Sequence, residues 1–527
     1  MRDFHLPGRS PVISVNGMCA TSHPLAAKCA VSMLEEGGNA VDAAVAAALL
    51  LGICEPQMTG LGGDMFALVQ PGPGRKVIGL NASGRAPAAL DAVRLRADGL
   101  TRMPEKGAIP VTIPGAVDGF CRLLEDHGRL GREAVLAPAI RYAEEGVPVA
   151  PRVAHDWALA APDLLAEARE FYLVDDAAPQ AGDLFRAPGQ AEVLRRIAAE
   201  GRAGFYEGEV AADMLAGLRA HGGIHTEADF AATACDYVEP IRGPYRGYDL
   251  VEIPPNGQGA TALLMAAILE RFDLSSHDPL GAQRIHLEAE AAKLAYDARN
   301  RLIGDPATAP DAAARMRDPA LAEALAGLID PDRAMADPAP LTEAVHRDTI
   351  YLTVVDRDRM AVSLIYSIFH SFGSGLASPR FGINFHNRGA GFNLIPGHPN
   401  EAAGGKRPMH TIIPAMLMQG DTLCMPFGVM GAEYQPAGHF RVMSNIRDFG
   451  MHPQQAIDAP RSFPQVGRLD LERGYAADVR AALSAKGHQV TTPANPLGGA
   501  QAIWLDATRG VLIGASDPRK DGCALGY

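Results

Sequence analysis

The sequence lacks any long apolar run and any leader-like start. Its most apolar stretch, residues 41–54, is too short to span a bilayer and carries Asp42 near its beginning. The first ten residues lack a charged start followed by an apolar core, which argues against a secretory signal peptide. We therefore expect no membrane partner and predict a cytoplasmic protein.

Cysteine is scarce, and its seven copies are scattered without CxxC spacing. An odd number of unclustered cysteines is typical of reduced thiols in a cytoplasm, and it argues against a disulfide scaffold or a structural zinc site. Dense basic runs are also absent, and the net charge is −13. Nucleic acid is thus a poor partner, although an acidic total still permits a local basic pocket for a small anion.

Two further features could suggest a ligand, and both are rejected. The glycine-rich segment 60–64 lacks the lysine and the hydroxyl residue that a phosphate-binding loop requires. His286, Glu288 and Glu290 could suggest a metal, but their spacing does not place all three on one face of a helix. The sequence therefore predicts neither a cofactor nor a metal.

The composition, 47% hydrophobic and 21% charged over 527 residues, is that of a large globular protein. Helical periodicity dominates from about residue 115 to 300, including an amphipathic pattern over 286–301, and strand-like segments lie at 65–70, 76–80 and 248–253. From Thr349 the pattern changes to short apolar or alternating strands, predicted at 349–355, 360–367, 382–386, 411–418 and 422–429. Helices early and strands in both parts indicate a layered α+β architecture, with antiparallel sheets between helices.

Thr349 opens the first of these strands after a polar, proline-rich lead-in. If the bond between Asp348 and Thr349 breaks, Thr349 acquires a free α-amine beside its own hydroxyl. An α-amine has a pKa near 7.7–8.0 in model peptides, so it can accept the hydroxyl proton at physiological pH. Before cleavage, the same hydroxyl can attack the Asp348 carbonyl. On its own, however, this segment is more typical of an ordinary strand that starts with threonine.

The order of motifs over nearly the whole chain resembles the gamma-glutamyltransferase family of N-terminal-nucleophile hydrolases. No single motif is decisive, but their order and spacing are specific. The matching segments are residues 36–45, 55–64, 114–115, 254–255, 290–306, 349–356, 372–373, 387, 408–409, 414, 459–461 and 517–519.

The resemblance implies a four-layer αββα sandwich that cleaves itself into a large subunit, 1–348, and a small subunit, 349–527, both parts of one intertwined fold. The two fragments would form a heterodimer, with further pairing left open. Thr349 would be the nucleophile and, through its amine, the base. Ser367 falls where the family has a second threonine. Gly431 and Ala432 fall on the paired glycines whose N–H groups bind the oxyanion, and alanine still offers its N–H.

The departures from the family pattern fall in the substrate pocket. The family's glutamyl-binding aspartate falls on Gly391, and the acidic or amide residue before it falls on Arg388. An asparagine that contacts the substrate carboxylate falls on Phe369. Paired serines fall on His410 and Thr411, and a carboxylate-binding arginine falls on or near Ser83, two positions from Arg85.

Loss of the aspartate removes the partner of the substrate ammonium, and removing one partner of a buried ion pair costs about 3–5 kcal/mol. Arg388 and Arg85 could instead clamp a carboxylate. Phe369, His410 and Thr411 are further candidate pocket residues, although each could equally serve packing.

The sequence therefore predicts a self-processing amidohydrolase that acts through an acyl-enzyme on a small anionic amide of the oxamate or glutaryl type. This pattern resembles the amidohydrolase and acylase branch of the family. Two alternatives stay open. One is gamma-glutamyl transfer or glutathione hydrolysis. The other is an unprocessed, non-enzymatic binding protein that has kept the fold.

Overall fold

The computed structural model describes residue 5 and residues 8–336 and 349–527. Asp348, on the upstream side of the predicted cleavage, lies outside these residues. Within them the strands, in chain order, are β1 Val12–Ser14, β2 Met18–Thr21, β3 Asp64–Gln70, β4 Ile78–Ala82, β5 Val147–Pro148, β6 Leu184–Phe185, β7 Asp236–Val238, β8 Ile241–Tyr245, β9 Tyr248–Glu252, β10 Ile350–Val355, β11 Ala361–Ser367, β12 Ala415–Gln419, β13 Thr422–Met430, β14 Ser462–Gln465, β15 Arg468–Leu471, β16 Val490–Thr491, β17 Gly499–Asp506, β18 Val511–Ser516 and β19 Cys523–Gly526.

The helices in the same part of the chain are α1 Pro24–Glu35, α2 Ala40–Cys54, α3 Ala92–Ala97, α4 Ala116–His127, α5 Arg132–Glu145, α6 Pro151–Ala160, α7 Ala168–Tyr172, α8 Pro188–Glu200, α9 Ala203–Tyr206, α10 Gly208–Ala220, α11 Glu227–Ala231, α12 Gly259–Leu269, α13 Ala282–Leu302, α14 Ala312–Met316, α15 Pro319–Ala326, α16 Gln435–Arg447, α17 Pro453–Asp458 and α18 Ala477–Ala485. Short 3₁₀ turns lie at Ala161–Asp163, Leu274–Ser276, Arg388–Gly391 and Ala432–Tyr434. None of these helices is long and apolar enough to cross a membrane.

Two seven-stranded sheets form the centre of the molecule. The first sheet has the strand order β19-β2-β10-β11-β3-β4-β7, and the second has β1-β18-β17-β13-β12-β9-β8. Neighbouring strands in both are antiparallel. Each sheet combines strands from before residue 336 with strands from after residue 349. The two predicted fragments therefore build one fold together.

Helices cover the outer face of each sheet. Helix α2 packs on β10 and β11 of the first sheet, and all fifteen of its residues are buried. Its alanine-rich sequence permits this, and a capping box between Asn39 and Asp42 starts it. Helices α12 and α16 cover the second sheet through a separate apolar core. A third core, which includes Phe66, Tyr351 and Ile503, fills the space between the sheets. The predicted αββα sandwich is confirmed.

Two local predictions differ from the structure. Segment 382–386 is not a strand of either sheet, and it makes only isolated bridges such as those of Asn384 and Phe385. The 286–301 pattern was predicted to be amphipathic, but α13 is buried along most of its length. Its charged side chains are tolerated inside because they form ion pairs, among them Arg284 with Glu288.

Candidate active site

Three adjacent strand ends of the first sheet carry the candidate catalytic residues. Thr349 directly precedes β10, Ser367 ends β11 and Asp64 begins β3. The register places Ser367 opposite Asp64, and Ile350 pairs with Tyr366. Thr349, Ser367 and Asp64 therefore stand in a row across β10, β11 and β3.

The alternation of strand side chains decides which way this row faces. Ile350 and Leu352 belong to the core under the helices, whereas Tyr351 and Val355 belong to the core between the sheets. Because successive side chains point to opposite faces of a sheet, Thr349 shares the face of Tyr351. The candidate nucleophile therefore faces the space between the two sheets, where it is 1% exposed.

Thr349 and Ser367 are joined by a hydrogen bond. The Thr349 hydroxyl donates to Ser367 Oγ over 3.1 Å, and the Phe369 N–H donates to the same oxygen over 2.8 Å. Phe369 adopts a φ of 76°, which a non-glycine residue rarely adopts and which neighbouring structure must hold. Ser367 thus orients the hydroxyl that the proposed chemistry uses.

Arg388 approaches this pair from the Arg388–Gly391 turn and is completely buried. Its Nη2 donates to Ser367 Oγ over 3.4 Å, and its Nη1 donates to Thr411 Oγ1 over 3.1 Å. The guanidinium lies 4.0 Å from the ring centroid of Phe369, a cation–π arrangement. The fold thus brings Arg388, Phe369 and Thr411 to the Thr349–Ser367 pair.

Asp64 is a buried carboxylate on the other side of Arg388. Its Oδ1 accepts hydrogen bonds from Gly84 N–H and Gly115 N–H, at 2.9 and 3.1 Å. Its Oδ2 lies 3.2 Å from His410 Nε2 and 3.3 Å from His386 Nδ1. The same oxygen is 4.0 Å from Arg388 Nε. Asp64 thereby connects two loops and two histidines to the arginine.

The charges in this cluster follow from these contacts. Burial would raise the pKa of Asp64, but the nearby His386 and His410 hold that pKa far below its usual range. Burial, together with the adjacent Arg388, lowers the pKa of His410 to about 3, despite its contact with Asp64. At neutral pH, Asp64 is therefore ionised and His410 is neutral.

Asp64 and His386 are site residues that sequence analysis missed. Segment 60–64 was considered as a phosphate-binding loop and as part of the family-like stretch 55–64, but the aspartate at its end was given no role in the site. The signal that could have identified Asp64 is a charged residue at the start of a fully buried strand, because such a charge requires partners inside the fold. His386, which also contacts Thr112 O at 2.7 Å, carried no comparable signal.

Arg85 lies apart from this cluster. Its side chain is 44% exposed and contacts Asp236, Asp305 and the Gly405 carbonyl. Arg388 contacts a different set of residues, which includes Thr411, Ser367 and Asp64. Of the two arginines of the predicted clamp, only Arg388 has described contacts with the Thr349–Ser367 pair.

Gly391 is the residue at which the sequence resemblance predicts the loss of a glutamyl-binding aspartate. A Cβ atom at this glycine would lie only 2.8 Å from the Met409 carbonyl oxygen. Any side chain here would force the backbone to move. The local packing therefore disfavours an aspartate at this position.

Gly431 and Ala432 follow the end of β13 and lead through the Ala432–Tyr434 turn into α16. Both have positive φ, 126° and 47°. A Cβ at Gly431 would lie 2.9 Å from Gly498 Cα, so this position requires glycine. The alanine that replaces the family's second glycine adopts the left-handed conformation a glycine would take there.

The earlier metal candidates separate in the structure. Glu288 pairs with Arg284 and Arg441, whereas the donor atoms of His286 and Glu290 lie within 4.8 Å of those of His488. Glu290 is already paired with the Lys293 ammonium at 2.9 Å. The positive charge of Lys293 would repel a metal ion bound at Glu290. We therefore describe this buried cluster as an ion-paired contact between α13 and the segment after α18.

The αββα sandwich is the fold of the N-terminal-nucleophile hydrolases that include the acylases and gamma-glutamyltranspeptidases. The family model described as gamma-glutamyltranspeptidase matches residues 26–527. The chain is 35% identical to an oxamate amidohydrolase proenzyme of Klebsiella pneumoniae, over 98% of this chain and 99% of that one. It is also 35% identical to a glutathione hydrolase-like proenzyme of Bacillus subtilis, with the same coverage.

Among solved structures, the cephalosporin acylase from Bacillus halodurans superposes with a TM-score of 0.93. It is 38% identical, over 100% of this chain and 99% of that chain. The chain belongs to the gamma-glutamyltranspeptidase family, and it is an enzyme that hydrolyses amide-type C–N bonds.

Proposed function

We propose that this protein is a self-processing N-terminal-threonine amidohydrolase whose substrate is a small amide that bears a carboxylate. The observation that carries the proposal is the chain of contacts from Thr349 through Ser367 to the buried Arg388. It puts a candidate nucleophile and a cation for the substrate's acid group into one site.

The proposed reaction begins with maturation. Thr349 Oγ attacks the Asp348 carbonyl, the peptide becomes an ester, and water hydrolyses that ester to leave 1–348 and 349–527. The freed α-amine of Thr349 then accepts the hydroxyl proton as Oγ attacks the substrate amide. The C–N bond breaks, the leaving amine takes the proton, and water hydrolyses the resulting acyl ester to regenerate the hydroxyl.

Arg388 supports a carboxylate in the acyl group. Its two terminal nitrogens contact hydroxyl groups, those of Thr411 and Ser367. A substrate carboxylate can replace these neutral acceptors with a charge-assisted, bidentate contact, which is stronger. Gly391 offers no carboxylate for a substrate ammonium, and its packing leaves no room for one. Both features favour an anionic substrate over an α-amino acid derivative.

Distances in the site favour a short acyl group. The contacts from Thr349 Oγ1 to Ser367 Oγ and from Ser367 Oγ to Arg388 Nη2 measure 3.1 and 3.4 Å. Both contacts share Ser367 Oγ, so the distance from Thr349 Oγ1 to Arg388 Nη2 cannot exceed the sum of these two values. In oxamate the carboxylate is bonded directly to the reacting carbonyl, which suits this separation. A glutaryl chain, with three methylenes between the two groups, would have to fold back.

Gamma-glutamyl hydrolysis is the second candidate, because one relative at 35% identity is named glutathione hydrolase-like. It predicts release of p-nitroaniline from a γ-glutamyl anilide, accelerated by a dipeptide acceptor. Turnover of oxamate without turnover of the anilide excludes this candidate, and the reverse result excludes the first.

Intact-mass analysis of purified protein is the primary test. We expect two fragments whose masses place the cut before Thr349, and ammonia release from oxamate. Thr349→Ala should remain one chain and release no ammonia. A single intact chain that binds oxamate without releasing ammonia would instead support the non-enzymatic alternative.

A further inference from the structure

Gln258 is a completely buried side chain between β9 and α12 that touches two parts of the candidate site. Its Nε2 donates to the Thr411 carbonyl over 2.6 Å and to the Ala432 carbonyl over 2.9 Å. The Thr411 hydroxyl accepts a hydrogen bond from Arg388, and the Ala432 N–H is a candidate donor to the oxyanion. One amide group therefore connects the substrate-binding side of the site to the oxyanion turn.

The orientation of this amide is fixed by Arg299. Arg299 Nη1, from α13, donates to Gln258 Oε1 over 2.7 Å. A guanidinium has donors and no acceptor, so it can face only the oxygen of the amide. The amide nitrogen must then face the two carbonyls. Because Arg299 is 1% exposed, this arrangement is sheltered from competing water.

Helix α13 also contacts Glu433, the residue that follows Ala432 in the turn. Arg299 also forms an ion pair with the Glu433 carboxylate, and the Tyr296 hydroxyl donates to the Glu433 carbonyl. The turn at Ala432–Tyr434 is thus held through the Ala432 carbonyl, the Glu433 carbonyl and the Glu433 side chain. The two carbonyl contacts fix the peptide groups that follow Ala432 and Glu433, and the ion pair fixes the side chain of Glu433.

The turn requires this restraint because Ala432 has a φ of 47°. A non-glycine residue in a sparsely populated region costs about 1–3 kcal/mol and stays there only when its surroundings hold it. If the contacts were lost, Ala432 would relax, and the peptide that carries its N–H would rotate. An oxyanion donor is effective only when it already points at the developing charge.

We propose that Gln258, locked by Arg299, is a positioning residue that aims the Gly431 and Ala432 N–H groups at the oxyanion of the acyl-transfer intermediate. This inference rests on the proposed function, because it assigns a role within the same acyl transfer. It adds Gln258, Arg299 and Tyr296 to the residues that set the rate.

The test uses Gln258→Glu, an isosteric change that places a carboxylate oxygen against the Ala432 and Thr411 carbonyls. The matched control is Gln190→Glu, because Gln190 is also buried and its Nε2 donates to a backbone carbonyl, that of Gly382. On the amide that the mature wild type hydrolyses best, we expect Gln258→Glu to lower kcat about 100-fold, the effect of losing one oxyanion donor. KM should stay within about threefold, and Gln190→Glu should change neither constant.

Tyr296→Phe removes only one hydroxyl and keeps the proposal testable if Gln258→Glu does not fold. It should lower kcat about tenfold at unchanged KM. A kcat within twofold of wild type in either folded variant overturns the proposal, as does an equal loss in Gln190→Glu.

A crystal structure of Gln258→Glu tests the proposal without any need for a substrate. We expect the 431–434 turn to rotate, and an unchanged turn overturns the proposal. If the wild type hydrolyses no amide, the proposed function fails, while the crystal structure still decides whether Gln258 sets the turn.

Discussion

Ser367 and Asp64 lie directly opposite each other on β11 and β3, and both side chains contact the guanidinium of Arg388. Ser367 contacts Nη2 at 3.4 Å, and Asp64 approaches Nε at 4.0 Å. A single register pair thus determines the direction in which the guanidinium points. Because Ser367 also receives the Thr349 hydroxyl, the same pair sets the spacing between the nucleophile and the cation.

Ser367→Ala removes the acceptor that orients the Thr349 hydroxyl. We expect kcat for amide hydrolysis to fall about 10- to 100-fold, because general acid–base and orienting contacts contribute on this scale. The matched control is Ser363→Ala, a buried serine on the same strand that contacts Tyr351 and the Phe427 carbonyl. Steady-state kinetics on cleaved enzyme measures both variants. An equal loss of kcat in the control would mean that strand packing, and not the hydroxyl contact, limits the rate.

Arg388→Lys tests the carboxylate contact. Lysine keeps the charge but cannot form two parallel hydrogen bonds to a carboxylate. We expect kcat/KM for oxamate to fall about 100-fold, the value of about 2.7 kcal/mol of lost interaction. Arg85→Lys should leave kcat/KM within twofold, because Arg85 contacts Asp305 and Asp236 instead. A large loss in the Arg85 variant would restore the two-arginine clamp that the sequence suggested.

Sequence patterns predicted the sandwich because its central strands are buried on both faces. Strands β10 and β11 read as apolar runs, since one face meets α2 and the other meets the second sheet. The same reasoning was wrong at 382–386, where apolar residues fill a loop that makes only isolated bridges. Apolar content alone does not distinguish a buried loop from a strand.

The site was only partly predictable. Thr349 was singled out because family-like motifs follow in order along the whole chain, and its role as nucleophile stays a prediction. The contacts of Arg388 could not be predicted, because its partners Asp64 and Thr411 lie apart from it in the sequence and only the folded chain brings the three together. The contacts of Arg85 with Asp236 and Asp305 were equally beyond sequence analysis, because both partners are more than 100 residues away in the chain.

Asp64→Asn tests whether the charge of Asp64 serves the site or only the fold. The change removes the carboxylate charge that lies 4.0 Å from Arg388 Nε, and breaking a buried ion pair at one partner costs about 3–5 kcal/mol. We expect lower stability and at least a tenfold lower kcat/KM. Asp42→Asn is the control, because Asp42 is equally buried but accepts hydrogen bonds from the backbone N–H groups of Asn39, Arg129 and Leu130. That variant should lose stability in urea titrations yet keep kcat/KM.

Glu55 makes the stability of the fold depend on pH. Burial raises the pKa of this carboxyl to about 7, and the Ser22 hydroxyl, which donates to it at 2.5 Å, offsets only part of that rise. The folded protein therefore holds this proton up to about pH 7, whereas the unfolded chain releases it near pH 4.5. Because the folded state binds more protons between these values, the contribution of Glu55 to stability is fully present below pH 4.5 and is lost as pH rises through 7.

Glu55→Gln should remove this dependence, because an amide stays neutral and its oxygen can still accept from Ser22. The free energy of unfolding of the variant should match that of wild type at about pH 4 and exceed it by about 3 kcal/mol at about pH 8, as measured by urea titration. Glu36→Gln, at an exposed carboxyl after α1, should follow wild type at both pH values. If the variant and wild type lose stability in parallel between about pH 4 and 8, another group carries the effect. Such a result would mean that contacts inside the fold stabilise the ionised form of Glu55 enough to keep its pKa near the value of the unfolded chain.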